Sequence, residues 1–172
     1  MSLCTLVDQD DNIIGYKERG QLEPGDIYRI TSLWVFNSKN EVLLARRVLT
    51  KKNDPGKWGP AVAGTIEDKE SYDDGVAKEA REELGITSIE FARGPKVFVA
   101  DNGQGQGYFC QTYVARLDWP LEKFKPLADE VSDIKWMHAD ELQSQATTSP
   151  GLFVTGFPAS CAQMIQFASQ HK

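Results

Sequence analysis

The chain has 172 residues, of which 41% are hydrophobic and 26% are charged, a composition typical of one globular domain. Its formal net charge of −6 disfavours binding to a nucleic-acid polymer, because sequence-independent binding of that kind needs an excess of Lys and Arg. No apolar run is long enough to span a bilayer and no export signal is recognisable, so we expect no membrane partner. Three widely separated cysteines, Cys4, Cys110 and Cys161, fit a reducing cytoplasm better than a disulfide scaffold.

The first part of the chain predicts β-strands. Aromatic and β-branched residues dominate its apolar runs, and clusters of turn-forming residues separate them. We predict an opening hairpin over 4–16, strands over 28–36 and 41–47 with a turn at 37–40, a break at 53–56 and an extended segment over 58–64.

A basic stretch lies between the second of these strands and the extended segment. It either forms a rim that binds phosphate groups or is a solvated loop that offsets acidic charge elsewhere, and the pattern fits both interpretations. Arg46 ends a strand, so we expect its side chain to be held in place more firmly than the others. The stretch consists of Arg46, Arg47, Lys51, Lys52 and Lys57.

The segment 72–84 predicts a helix with an acidic face. Ser71 can cap its N-terminus, and Gly85 supplies the left-handed residue that ends it. Glu79, Glu82 and Glu83 follow at i, i+3 and i+4, where like charges repel by a few tenths of a kcal/mol per pair. Mg²⁺ takes oxygen ligands and would reverse the sign of that term. The acidic face is therefore either a metal site or an ordinary solvated surface.

The second part of the chain alternates further strands with two helices. Three glycines between 103 and 107 precede a strand rather than a helix, so a phosphate-binding loop is disfavoured there. This loop is either a hairpin tip or a segment near the substrate that contributes Asp101. Cys110 is expected to be a buried structural thiol. The predicted elements are strands over 91–100, 108–117 and 134–137 and helices over 139–145 and 158–170.

The helix and its flanks together resemble the Nudix box. That pattern begins with a glycine and a glutamate six residues later. An Arg-Glu pair followed by an aliphatic residue, a Glu-Glu pair, and a glycine followed by an aliphatic residue come next at fixed spacing. Lys78 stands where the pattern has arginine, and lysine offers a single point charge instead of a planar fork. The positions that match, within a box spanning 64–86, are Gly64, Glu70, Glu79, Ala80, Glu82, Glu83, Gly85 and Ile86.

This resemblance implies the Nudix fold, an α/β (α+β) α/β/α sandwich with a mixed β-sheet between helices, as a single domain over 1–172. It further implies hydrolysis of a small-molecule diphosphate, a nucleoside diphosphate linked to another group, with Mg²⁺ or else Mn²⁺ as cofactor, and it suggests a homodimer by analogy. Glu79, Glu83, Glu70 and Lys78 are then the expected catalytic residues, and Glu70, Glu79 and Glu130 are all open as the carboxylate that completes the proton transfer. The expected metal ligands are Glu79, Glu82, Glu83, the carbonyl of Ala63 and Glu130, and the expected substrate-binding residues are Arg46, Arg47, Lys57 and Asp101.

Two alternatives to hydrolysis remain open. The run Pro55-Gly56-Lys57-Trp58 also resembles isopentenyl diphosphate isomerases, which share the fold. Aligning on that run places Ala63 and Thr65 at the isomerase cysteine and histidine. Aligning the later strand through Ala115-Arg116 places Gln106 and Tyr108 at the isomerase glutamates, so isomerase chemistry is disfavoured. The other alternative is a non-catalytic module that binds a nucleotide in the same cleft.

Overall fold

The computed structural model describes residues 2–172, which form nine strands and three helices. The strands are β1 (Leu3–Val7), β2 (Ile13–Glu18), β3 (Ile27–Phe36), β4 (Glu41–Arg47), β5 (Trp58–Pro60), β6 (Val62–Thr65), β7 (Ala92–Val99), β8 (Gly107–Arg116) and β9 (Val131–His138). The helices are α1 (Tyr72–Leu84), α2 (Ala139–Thr148) and α3 (Phe157–Gln170). Every predicted element is present, and α2 extends three residues further than the sequence suggested.

Strand β3 organises the mixed sheet. It runs parallel to β8 along its whole length and antiparallel to β6 on its other edge. Strand β4 pairs antiparallel with β9 and β5, and it meets β3 only at Phe36 and Val42, where the turn between them begins. The segment predicted as one extended stretch over 58–64 therefore divides at Ala61 into two strands, because β5 and β6 pair with different neighbours.

The sheet separates two hydrophobic cores. Successive side chains of a strand point to opposite faces, so β3 supplies Leu33 and Val35 to one core and Trp34 and Phe36 to the other. Helix α1 covers the first face with Val76, Ala80, Leu84 and their neighbours. Helices α2 and α3 cover the second face with Leu142, Phe157, Met164 and others. This arrangement confirms the predicted α/β/α sandwich.

Helix α1 begins and ends where the sequence predicted. The Ser71 hydroxyl accepts a hydrogen bond from the Asp74 N–H, and the Asp74 carboxylate accepts one from the Ser71 N–H, which together form a capping box. At the other end Gly85 adopts φ 68°, a left-handed conformation that glycine accepts without strain. These two ends fix which residues of the helix face the sheet.

Two further observations concern membrane-spanning helices and disulfide bonds. No helix within residues 2–172 is long and apolar enough to cross a membrane. All three cysteines are buried and unpaired.

Asp11, at the tip of the β1–β2 hairpin, ties that hairpin to the rest of the molecule. Its carboxylate lies 2.7 Å from Arg29 Nε of β3 and 2.5 Å from Lys96 Nζ of β7. It also accepts a hydrogen bond from the Tyr72 hydroxyl at the start of α1, at 3.2 Å. Burial alone would raise the pKa of Asp11, but the hydrogen bonds and charges of Lys96 and Arg29 outweigh burial and lower it.

We expect Asp11→Asn to lower the free energy of unfolding by roughly 1–3 kcal/mol, because the variant leaves the partly buried Arg29 and the more exposed Lys96 without their counter-ion. Asparagine tolerates the left-handed φ of 62° found at this position, so the substitution changes charge more than conformation. Denaturant titration at neutral pH measures the loss, and the exposed neighbour Asp10→Asn is the control. Because the folded pKa of Asp11 is lowered, the difference between wild type and variant should shrink only below about pH 4. A constant difference down to pH 2 would contradict this account.

Candidate active site

A cleft of about 370 Å³ opens beside α1 and contains most of the predicted site residues. Strands β4 and β6, helix α1 and the segment before β9 each contribute part of its wall. Seven of the residues predicted for the site line it: Arg46, Arg47, Ala63, Glu79, Glu82, Glu83 and Glu130. The fold thus brings together groups that are up to 84 positions apart in sequence, as are Arg46 and Glu130.

The three glutamates of α1 present an acidic surface to this cleft. Burial raises the pKa of Glu83 to about 8, and the negative charges of Glu79 and Glu130 contribute to the same shift. Burial likewise raises the pKa of Glu79. Neither Glu82 nor Glu83 forms an ion pair with any residue in the part of the chain described. Ionising these carboxylates together is therefore unfavourable without a counter-charge, which a bound cation would supply.

Gly64 allows Glu79 to lie directly against the backbone of β6. A Cβ atom at Gly64 would lie 2.4 Å from Glu79 Cδ and 2.8 Å from Glu79 Oε1, which are impossible contacts. The side chain of Glu79 is only 17% exposed, and a methyl group added at Gly64 would displace its carboxylate from this position. The first glycine of the box therefore sets the position of its second glutamate.

Lys78 lies among three carboxylates and does not itself line the cleft. Its Nζ is 2.7 Å from Glu70, 3.1 Å from Glu67 and 3.6 Å from Glu79. Glu70 also accepts a hydrogen bond from the Glu67 N–H at 3.0 Å, but Glu70 does not line the cleft. Glu70 thus stabilises the loop before α1, and Lys78 links Glu70 to Glu79.

Glu67 is a cleft residue that sequence reasoning missed. It lies at a position that the box leaves unspecified, so its spacing gave no signal. Burial opposes ionisation of Glu67, but its hydrogen bonds to Lys78 and Ser2 lower its pKa. Glu67 is therefore an ionised carboxylate near the acidic helix.

The basic stretch contributes its two arginines to the lining of the cleft. Arg46 and Arg47 are consecutive, and both line the cleft at an irregularity where β9 shifts register against them. Arg46 Nε donates to the Gly56 carbonyl at 2.8 Å, and Arg47 Nε donates to the Asn53 carbonyl at 3.0 Å. The guanidinium groups are therefore held in place by the loop that follows β4.

Lys51 lines the cleft, whereas the predicted Lys57 does not. Lys57 Nζ is held 2.9 Å from Asp54 Oδ1. Lys51 instead forms an ion pair with Glu130, which also lines the cleft. The sequence cannot show which of two lysines in one loop reaches the cleft, because that depends on the path of the folded backbone.

Asp101 also lies outside the cleft lining. Its Oδ1 accepts hydrogen bonds from the N–H groups of Gly103 and Gly105, both at 2.8 Å, and this fixes the shape of the glycine-rich loop. Asn102 and Tyr108 from the same region reach the cleft instead.

The donor atoms of the acidic surface fit a hard divalent cation. Carboxylate and carbonyl oxygens suit Mg²⁺, which also retains water ligands. Within residues 2–172, no three His, Cys, Asp or Glu side chains already stand close enough to share one ion. Repulsion between like charges opposes such convergence until a cation is present. Binding therefore requires rotamer changes among Glu79, Glu82 and Glu83.

The residues aligned with the isomerase catalytic groups offer little proton chemistry at carbon. Ala63 and Thr65 line the cleft, and neither side chain is an acid or a base at neutral pH. Gln106 is buried and donates its amide to the Leu22 carbonyl at 3.1 Å. Cys4 also reaches the cleft lining, but burial raises the pKa of its thiol and it is only 3% exposed.

Comparison with known proteins agrees with this fold and site. The family model described as the NUDIX domain matches residues 28–154, and the chain belongs to the Nudix family. It is 30% identical over 154 residues to an isopentenyl-diphosphate Delta-isomerase of Klebsiella pneumoniae, covering 86% of this chain and 82% of that one. It is also 30% identical over 155 residues to the prenyl-diphosphate phosphatase of Methanosarcina mazei, covering 87% and 86%.

The solved structures support the same fold. The crystal structure of DR0079 from Deinococcus radiodurans superposes with a TM-score of 0.76 at 19% identity, covering 96% of this chain and 98% of that one. With the family match, this confirms the Nudix fold, and the chain is a Nudix hydrolase.

Proposed function

We propose that the chain hydrolyses the diphosphate linkage of a small molecule with the help of Mg²⁺, or of Mn²⁺ in its place. The observation that carries the proposal is the acidic surface of Glu79, Glu82 and Glu83, which lines the same cleft as Arg46 and Arg47 and in which, within residues 2–172, Glu82 and Glu83 form no ion pair. An anionic diphosphate needs a cation to approach such a surface, and a divalent metal supplies it.

Each group then has a chemical role. Glu79, Glu82, Glu83 and the Ala63 carbonyl would hold the metal, which polarises a phosphoryl oxygen and acidifies water when bound. Arg46, Arg47 and Lys51 would bind the phosphate oxygens and stabilise charge on the leaving group. Lys78, itself held by Glu70, would orient Glu79.

The carboxylate that accepts the proton from water must reach the cleft. Of the three candidates that the sequence left open, Glu79 and Glu130 line it and Glu70 does not. We therefore propose Glu79 or Glu130 as the base. Glu130 is engaged with Lys51, so its use would require that ion pair to open.

The resemblance of the box points to a nucleoside diphosphate linked to another group as the substrate class. The name of the Methanosarcina mazei relative adds prenyl diphosphates to the compounds worth testing. The deciding experiment incubates the protein with nucleoside diphosphate sugars, dinucleotides, nucleoside triphosphates and isoprenoid diphosphates, with and without Mg²⁺. Phosphate or monophosphate release that needs Mg²⁺ supports the proposal. Ligand-dependent thermal stabilisation without any product would favour the non-catalytic binding module instead.

Isomerisation is the second candidate function, because the Klebsiella pneumoniae relative carries that name. The same incubation with isopentenyl diphosphate distinguishes it. Proton NMR detects migration of the double bond, and phosphorus NMR detects hydrolysis. We expect hydrolysis without migration, since Ala63 provides no thiol at the cleft.

We also propose a cytoplasmic location, which the three unpaired buried cysteines support.

A further inference from the structure

The loop between β4 and β5, residues 48–57, holds both arginines of the cleft through its backbone. Arg47 Nε donates to the Asn53 carbonyl at 3.0 Å, and Arg46 Nε donates to the Gly56 carbonyl at 2.8 Å. A guanidinium group has five N–H donors, and these bonds use only the one on Nε. In the part of the chain that the structure describes, the Nη groups of both side chains form no hydrogen bond. They are therefore available to a ligand, and the loop sets their position.

Asp54 joins this loop to the segment that leads into α3. Its Oδ2 accepts a hydrogen bond from the Thr155 N–H at 2.8 Å, and its Oδ1 accepts one from the Thr155 hydroxyl at 3.2 Å. Burial opposes ionisation of Asp54, but hydrogen bonds from Thr155 and Lys57 lower its pKa, so it is a carboxylate at neutral pH and a strong acceptor. Asp54 lies in sequence between the two residues whose carbonyls hold the arginines. These bonds therefore fix the part of the loop on which both arginines depend.

The partner of this carboxylate, Thr155, belongs to a well-anchored part of the fold. The Val154 N–H donates to the Trp58 carbonyl at 2.9 Å, which ties the segment before α3 to β5. Phe153 and Phe157, on either side of Thr155 in sequence, are both buried, and their rings stack with centroids 5.0 Å apart. The backbone of Thr155 is therefore held from both directions, and it provides a fixed point for the loop.

The other contacts of the loop are weaker candidates for this role. Gln104 Nε2 bonds to a side chain of the loop at 2.6 Å, but Gln104 is exposed and belongs to the glycine-rich loop. Lys57 pairs with Asp54 from within the same loop, so it cannot tie the loop to another element. Lys51 pairs with Glu130, but it precedes both of the carbonyls that hold the arginines. The side chain of Asp54, by contrast, is only 17% exposed.

We propose that Asp54 is a positioning residue for substrate binding: by anchoring the loop to Thr155, it holds Arg46 and Arg47 in place for the phosphate oxygens of a bound diphosphate. The inference rests on the proposed function for the role of the two arginines. Without the anchor each arginine would sample more conformations, and ordering them on binding would cost part of the affinity. The acidic surface of α1 does not depend on this loop, so loss of Asp54 should leave metal binding intact.

The test measures binding of methylenebisphosphonate, a diphosphate analogue that cannot be hydrolysed, by isothermal titration calorimetry with Mg²⁺ present. Asp54→Gly removes the carboxylate and accepts the left-handed φ of 51° at this position, and it should bind the analogue about 10-fold more weakly than wild type. Asp54→Asn keeps an oxygen for the Thr155 N–H and should lose less than about 3-fold. Both variants remove one negative charge, which by itself would favour an anion. Equal affinity in Asp54→Gly and wild type, or equal losses in the two variants, would overturn the proposal.

Asp118→Gly is the matched control for the loss of an anchoring carboxylate. Asp118 accepts a hydrogen bond from the Ser38 N–H at 2.7 Å and so ties two distant segments together, but it lies outside the cleft. This variant should bind the analogue as wild type does. Titration with Mn²⁺ alone, followed by electron paramagnetic resonance, should give the same affinity for wild type and Asp54→Gly. A lower Mn²⁺ affinity in Asp54→Gly would refute the proposal, because Asp54 would then support the acidic surface rather than the arginines.

A double-variant cycle tests whether Asp54 acts through the arginines. Arg47→Gln removes one of the two side chains that the loop holds, so less remains for Asp54 to position. Asp54→Gly should therefore weaken analogue binding less in the Arg47→Gln background than in the wild-type protein. The full loss in both backgrounds would show that Asp54 acts by another route.

Hydrolysis kinetics separate this inference from the proposed function. With any diphosphate that the protein cleaves, Asp54→Gly should raise KM about 10-fold and lower kcat by a smaller factor, because the metal-binding carboxylates are unchanged. Weaker analogue binding by Asp54→Gly, with no Mg²⁺-dependent cleavage of any diphosphate, would refute the hydrolase and leave the positioning role standing. Mg²⁺-dependent cleavage with the same KM in wild type and Asp54→Gly would leave the hydrolase standing and refute the positioning role.

Discussion

Replacing Glu83 or Glu79 by Gln is expected to lower the rate of Mg²⁺-dependent diphosphate hydrolysis by about 10²- to 10⁴-fold. Each substitution keeps the size of the side chain and removes the negative charge that a divalent cation needs. Steady-state release of phosphate or monophosphate at saturating Mg²⁺ measures the effect. Unchanged turnover in either variant would remove the residue from the proposed site.

Two controls show whether such a loss is chemical. Glu90→Gln makes the same substitution at an exposed glutamate outside the cleft and should leave the rate unchanged. Metal-free Glu83→Gln should melt at a temperature equal to or above that of wild type, because burial already disfavours the ionised carboxylate at this position. A lower melting temperature would show that Glu83 supports the fold, and lost activity would then say little about metal binding.

Gly64→Ala is expected to lower the rate by about 100-fold, because the added methyl group would occupy the space of Glu79. The substitution leaves every charged group of the cleft in the sequence and changes only where one of them lies. A loss of activity would therefore report on the position of Glu79. The rate of hydrolysis at several Mg²⁺ concentrations measures it.

The matched control for Gly64→Ala is Gly151→Ala, where an added Cβ meets no atom within 4 Å. This variant should have the activity of wild type. The double variant Gly64→Ala/Glu79→Gln tests the mechanism, since both changes act through one side chain. It should be scarcely slower than Glu79→Gln alone, whereas fully multiplicative losses would show that Gly64 acts by another route.

The elements that the sequence predicts well are those with local causes. Ser71 and Gly85 bracket α1 because capping and the left-handed stop depend on neighbouring residues only. The continuous apolar runs likewise predict the strands, since a strand that feeds two cores must place hydrophobic groups on both faces. The acidic face of α1 follows from the 3.6-residue period.

The parts that escaped prediction depend on contacts between distant segments. Asp11 meets Lys96, 85 positions away, and nothing near Asp11 indicates a partner on β7. Lys51 reaches the cleft and Lys57 does not, because Asp54 holds Lys57 within its own loop.

The central claim is that Glu79, Glu82 and Glu83 converge on one divalent cation. A crystal structure of the protein soaked in Mn²⁺, with data collected at the manganese absorption edge, tests it most directly. We predict an anomalous peak in the cleft with carboxylate oxygens from at least two of these glutamates within about 2.3 Å of the ion. A map with no peak beside α1, or with a peak only at a site that none of the three reaches, would contradict the account.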